Sequence, residues 1–424
     1  MLAIWFAVRL ILPMNRFTPA LVLFASASLA SAAPTFDWPQ WRGPQRSDLS
    51  AETGLLKQWP PEGPKQLWVY KNAGNGYSGP AIVGGTLFTL GTRDGKEIAL
   101  ALDAATGAER WFTPLSPVLG NNWGGGPRGT PTVDGAFVYL LTGPGTLACL
   151  QAKDGKLVWQ RTMQELGGKT PGWGYTESVL VDGDQVVCTP GGAQGAIAAL
   201  DKKTGATRWQ SKDFTDGAQY ASIIPANING EHQYVQLTMQ TLVGVSAKDG
   251  AVLWRTPFPG KTAVIPTPIV KGNEVFVTAG YGVGCQLIRI EPGNKLTVVY
   301  ENKTMKNHHG GVILVGDHLY GHSDGVGWVC MDWKTGSEVW SEKGKLGKGA
   351  LGYADGMLYC LEESTGNVAL VEASPKGWNE KGRFKLDPQT DIRSPQGRIW
   401  THPVISNGRL YLRDQDFIHC YAVK

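Results

Sequence analysis

ALDAATGAERW, residues 101–111, decides the fold, because versions of it return along the chain. Residues 149–159 read CLQAKDGKLVW, residues 199–209 ALDKKTGATRW, residues 244–254 GVSAKDGAVLW and residues 330–340 CMDWKTGSEVW. Each carries a glycine four residues before a tryptophan. Tyr300 closes a weaker version, RIEPGNKLTVVY; Phe384 ends a divergent one that begins at Leu370; and Trp68 falls one interval before Trp111. The aromatics at 68, 111, 159, 209, 254, 300, 340 and 384 are spaced by about 40–50 residues, the interval of a propeller blade.

The unit itself reads as a hairpin. Strand-like alternation ends at Asp103, Gly107 supplies a positive φ in a tight turn, and Glu109-Arg110-Trp111 leaves as the next strand. An isolated four-stranded sheet cannot bury both faces, so a large aromatic at one fixed place per hairpin is expected to pack between neighbouring sheets. The anchors are Trp68, Trp111, Trp159, Trp209, Trp254, Tyr300, Trp340 and Phe384. Upstream of the hairpins, short apolar runs end in turns, as at residues 78–83 before Gly84-Gly85, 130–133 before Asp134-Gly135 and 403–406 before Asn407-Gly408. A β-branched or aromatic run follows each, giving four strands per unit. The last unit, IHCYAVK at 418–424, stops where its fourth strand is due, and QLWVY at 66–70 supplies it. Pairing the two ends closes the ring and leaves no open sheet edge.

The pattern A-L-D-x-x-T-G-x-x-x-W resembles the tryptophan-docking repeat of the quinoprotein-like β-propellers, also called pyrroloquinoline quinone (PQQ) repeats. The likeness spans about residues 66–424, with five strong and two weak matches. It implies an all-β, eight-bladed propeller of four-stranded antiparallel blades. PQQ-dependent alcohol dehydrogenases of this type carry adjacent cysteines and a calcium held by acidic and amide side chains. This chain has no Cys-Cys pair and no Cys-x-x-Cys-His haem motif. The lipoprotein scaffold of outer-membrane β-barrel assembly resembles the chain in size, export and repeat type, but is lipid-anchored, whereas no Cys follows the apolar run here. Fold is therefore better specified than chemistry.

Of 424 residues, 42% are hydrophobic and 18% charged, and 40 basic against 36 acidic side chains leave a net charge of only +4. With no long basic run, nucleic-acid binding is not expected. Residues 1–32 read as an export signal: Met14-Asn15-Arg16 is the expected start, residues 19–29 are apolar, and Ala30-Ser31-Ala32 offers the cleavage site. The apolar runs are too short to span a bilayer. The mature chain is expected to be monomeric, soluble, and periplasmic or extracellular, with residues 33–65 as an arm laid over a ring of residues 66–424. Cys149, Cys330 and Cys420 occupy positions filled by Ala or Gly in other repeats and read as small core residues; Cys188, Cys285 and Cys360 cannot be paired from sequence.

Residues just before the innermost strands should form one mouth of the central channel. That set includes Tyr77, Arg128, Tyr175, Glu177, Tyr220 and Thr267, and, further on, His308, His309, Lys348, Trp400 and His402. Loops add Trp123, Trp173 and Asn307. His308, His309 and Glu177 are the candidate catalytic groups, with at most one of the two histidines facing the channel if both lie in a strand. No spacing identifies a metal site. Three functions remain open: a binding or scaffold module for an envelope protein; a small PQQ-dependent oxidoreductase with calcium, in which Arg128 or Lys348 would pair with quinone carboxylates; and a glycan binder using Trp123, Trp173 and Trp400.

Overall fold

The turn after each alternating strand is fixed by its own side chains. Asp103 Oδ1 accepts hydrogen bonds from the backbone N–H of Ala105 and Thr106 and from the Thr106 hydroxyl, and Gly107 N–H donates to Asp103 O at 2.8 Å. Asp201, Thr204 and Gly205 repeat the arrangement, as do Asp332, Thr335 and Gly336. Gly107, Gly205 and Gly336 all have φ near +70°, the left-handed region that disfavours a side chain.

A computed structural model of the chain describes Met1, Leu2 and residues 35–424. The export signal expected within residues 1–32, and its cleavage point, lie outside the described residues. Residues 36–424 form one compact unit. Among the described residues there are eight sheets, each built on four antiparallel strands, which follow sequence order in seven of them. Blades 1 to 7 occupy residues 81–117, 132–162, 180–210, 224–257, 269–302, 312–342 and 349–385. Blade 8 joins Val404–Ser406, Arg409–Asp414 and Phe417–Ala422 to Gln66–Tyr70, with Trp68 opposite Cys420 and Val69 opposite His419. First and last strands thus share one sheet, as the sequence pattern requires. The chain is an all-β, eight-bladed propeller.

Burial sets the strand order from inside to outside. First strands such as Ala81–Val83 and Val404–Ser406 are mostly buried, while fourth strands such as Glu109–Pro117 alternate toward solvent. Eight apolar clusters fill the seams, each between two adjacent blades. The repeated aromatics reach across these seams. Trp68, Trp111, Trp159, Trp209 and Tyr300 lie on Gly107, Gly155, Gly205, Gly250 and Gly336 of the following blade. Indole N–H groups of Trp68, Trp111 and Trp159 donate to Ala104 O, Ala152 O and Lys202 O there. Trp209 and Trp254 donate instead to Gln185 and Gln233 of their own blades; Trp254 is buried in its seam, where the next hairpin turns through a short 3₁₀ segment, Pro292–Asn294.

Residues 36–50 do not lie over the ring as expected but enter its channel, and residues 54–65 run out across blades 7 and 8, where Leu56 N–H donates to Val423 O and Trp59 N–H to Lys381 O. Trp38 pairs with Ile82 of blade 1, and Leu49–Ser50 adds a parallel strand to the inner edge of blade 7. Between them, Arg46 donates to Ile223 O, Ser178 O and Val179 O at 2.5–2.7 Å, and Arg42 donates to Val312 O at 2.6 Å. The inner strands present backbone carbonyls to the channel, and the arm's guanidinium groups satisfy them, which is what holds it inside. All six cysteines are buried free thiols.

Candidate functional site

Loops that lead into the first strands converge at one end of the channel around a cavity of about 290 Å³. Tyr77 enters from ahead of blade 1, Arg128 from blade 2, Thr176 and Ser178 from blade 3, Tyr220 and Ser222 from blade 4, Thr267 from blade 5, His308 and His309 from blade 6, and Trp400 and His402 from blade 8. Trp41 and Arg42 of the arm also line it, and Trp123 and Trp173 come from the long loops before blades 2 and 3. Among the described residues, no Asp, Glu, Asn or Gln lines this cavity.

The histidines are built in from behind. Asn307 Nδ2 donates to Gly311 O and His322 O, folding residues 307–311 into a loop rather than a strand. Strand alternation therefore does not apply, and His308 and His309 both line the cavity. Gly311 allows His402 to approach: a Cβ there would stand 2.8 Å from the imidazole. His402 packs on Trp41 with ring centres 4.5 Å apart, its Nδ1 lies 3.2 Å from Asp48 and its Nε2 lies 2.9 Å from His309 O. Asp48 is held in turn by Arg42 at 2.9 Å. His308 Nδ1 lies 2.7 Å from Lys348 Nζ, and its Nε2 lies 2.7 Å from the Tyr281 hydroxyl. Burial first, then the Lys348 ammonium, pushes the His308 imidazole down to about 4. His309 is driven well below the ordinary histidine value by burial and by its basic neighbours, and its Nε2 lies 3.1 Å from Glu363. At neutral pH both rings are uncharged.

Arg128 is the main electrostatic feature. Nε donates to Trp173 O at 2.9 Å, Nη2 donates to Gly124 O at 2.8 Å, and the guanidinium lies 4.9 Å from the centre of the Tyr77 ring. Nη1 is buried and has no hydrogen-bond partner among the described residues.

The structure brings Arg128, Tyr220, His308, His309, Trp400 and His402 together with the expected Tyr77, Trp123, Trp173 and Thr267, and separates Tyr175, Glu177 and Lys348 from them. Tyr175 is buried in the seam between blades 2 and 3, its hydroxyl donating to Pro190 O. Glu177 faces away from the cavity, accepting from Thr189 N–H at 2.6 Å and from the Thr189 hydroxyl at 3.0 Å. Burial raises its carboxyl to about 7. Lys348 stands behind His308, paired with Asp324 at 2.8 Å. Trp41, Arg42 and Tyr281 were not expected. The arm residues carry no periodic signal; Tyr281 had one, an aromatic between Gly280 and Gly282 in a hairpin turn, where it adopts a left-handed φ of 56°.

A family model described as outer membrane protein assembly factor BamB matches residues 95–342, more than half of the chain. The chain belongs to that family. Outer membrane protein assembly factor BamB of Yersinia pestis is 29% identical over 230 residues, which cover 51% of this chain and 53% of that protein. The chain therefore spans about half the length of this curated relative. Among solved structures, BamB from Moraxella catarrhalis aligns with a TM-score of 0.60 at 16% identity, covering 85% of this chain and 97% of that one. Quinohemoprotein alcohol dehydrogenase from Comamonas testosteroni aligns at 0.63 and 11% identity, covering 93% and 81%. These structural likenesses show the shared propeller; the family rests on the sequence model. No helix among the described residues is long and apolar enough to cross a membrane.

Proposed function

We propose that this protein is an exported scaffold of outer-membrane protein assembly, a closed ring that binds an envelope protein rather than turning over a substrate. The observation that carries this reading is the family match, which runs from the third strand of blade 1 to the end of blade 6. The site's chemistry agrees with it. His402 is fixed between Asp48 and a carbonyl, and His308 between Lys348 and Tyr281, so both serve as struts. A quinone held with calcium is the weaker fit, because calcium takes six to eight oxygen ligands, usually with carboxylates among them, and the lining supplies none. A glycan fits poorly for a related reason: sugar hydroxyls need acceptors that amide and carboxylate side chains provide.

The test is a gentle crosslinking pull-down from envelope extract with the full chain tagged at its C-terminus. Retention of an outer-membrane assembly component is the expected result, and a lane without any envelope protein overturns the reading. Export predicts in addition that the purified mature chain begins at Ala33; an intact residue 14–32 segment on protein recovered from the envelope would contradict it.

A further inference from the structure

The cavity is rich in donors and poor in acceptors. Two guanidinium groups line it. Arg42 is matched by Asp48 at 2.9 Å, whereas Arg128 hydrogen-bonds only to carbonyl oxygens, lies against the Tyr77 ring, senses the buried Glu97 carboxyl without bonding to it, and keeps Nη1 buried without a partner among the described residues. The unpartnered Nη1 calls for an acceptor from outside the chain, and a charged acceptor suits it best.

Two phenols add to it. An ammonium can only donate, so Lys348 must give a hydrogen to His308 Nδ1, and Nε2 then carries the ring hydrogen and donates to the Tyr281 oxygen. Tyr281 is left with its O–H free to donate into the cavity. Tyr220 is in the same position, since its oxygen accepts from Trp173 N–H at 3.4 Å. Tyr220 lies near enough to both Arg128 and Tyr281 for each to affect its ionisation.

The walls define the rest of the ligand. Trp41, Trp123, Trp173 and Trp400 present indole faces and edges, and the volume of about 290 Å³ is at the lower limit of small-molecule pockets. One unpartnered guanidinium nitrogen calls for one carboxylate.

We propose that the axial cavity binds a small organic monoanion, a single carboxylate carried on a flat apolar body, with the carboxylate on Arg128 Nη1 and the Tyr220 and Tyr281 hydroxyls. The assignment rests on the cavity alone and does not depend on the assembly reading above.

The experiment titrates the purified full chain with 2-naphthoate, following tryptophan fluorescence and calorimetry, against 2-naphthamide as the neutral isostere and acetate as the charge alone. Naphthoate is expected to saturate a single site at least about 10-fold more tightly than naphthamide, with acetate not binding in the same range. A charge-assisted hydrogen bond is worth roughly 10- to 100-fold in affinity, so Arg128→Gln should weaken naphthoate by about that factor and leave naphthamide unchanged. Tyr281→Phe should weaken naphthoate by roughly 3- to 10-fold. The wild-type comparison of acid with amide stands even if Arg128→Gln disturbs the loops. Equal affinity for naphthoate and naphthamide, or no binding of naphthoate at millimolar concentration, overturns the proposal.

Discussion

Trp159 and Gly205 offer the sharpest test of how the blades are held together. Trp159 is only 8% exposed, its ring lies over Gly205 of the next blade, and its indole N–H donates to Lys202 O at 2.9 Å. Trp159→Ala removes a buried aromatic and should cost about 3–5 kcal/mol, of which the hydrogen bond accounts for about 1 kcal/mol. Gly205→Ala attacks the same contact from the other side. Its φ of +73° imposes about 1–2 kcal/mol on any side chain, and its Cβ would stand 2.7 Å from the Trp159 ring, adding about 1–3 kcal/mol of overpacking. In the Trp159→Ala background the ring is gone and only the backbone strain is left. The double mutant should therefore be more stable than the sum of the singles by about 1–3 kcal/mol. Urea unfolding followed by far-UV circular dichroism measures all four proteins without relying on the altered fluorophore. Additivity within about 0.5 kcal/mol would show that the two residues do not meet, and would remove the stated basis of the seams.

Glu177 gives a pH dependence. Its folded value of about 7 lies above the ordinary 4.5, so the folded state holds a proton that the unfolded state releases. That contribution is complete below pH 4.5 and is lost as the pH rises to about 7, on the order of 3 kcal/mol in all. Glu177→Gln should flatten the unfolding free energy across this window, and an unchanged slope would refute the assignment. Asp48→Ala leaves the buried Arg42 without its counter-charge and should destabilise the protein by about 3–5 kcal/mol, read by urea midpoint; a loss under about 1 kcal/mol would mean that the pair is exposed to water. The six cysteines should ignore a thiol reagent under native conditions and react fully once the protein is unfolded, and rapid native labelling of any of them would contradict the burial described.

The blade count was legible because glycine and tryptophan recur at fixed spacing, and each pair has a physical partner in the next unit. The mouth was legible in part by counting back from each inner strand, which located Arg128, Tyr220, Trp400 and His402. In blade 3 the count was right and the parity wrong: Thr176 and Ser178 face the cavity, while Tyr175 and Glu177, one residue out of phase, point away from it. A period-two pattern cannot show which phase faces inward when both phases are partly apolar. Lys348 missed the cavity because Asp324 and His308 Nδ1 hold its ammonium behind the histidine that lines it. The arm could not have been placed, since its contacts are single events: Trp41 meets Thr267 and Arg46 meets Ile223 across long sequence separations, and neither contact repeats.

Closure of the ring by its two ends sets the first strands in a circle and so forms the channel that the arm enters. Hydrogen exchange followed by mass spectrometry reads it on the native protein. Those amides of residues 66–70 that bond the strand at residues 417–422 should exchange as slowly as the amides of that C-terminal strand, and the two segments should lose protection together on mild destabilisation. Free-chain exchange at every amide of residues 66–70 beside a protected C-terminal strand would contradict the closed ring.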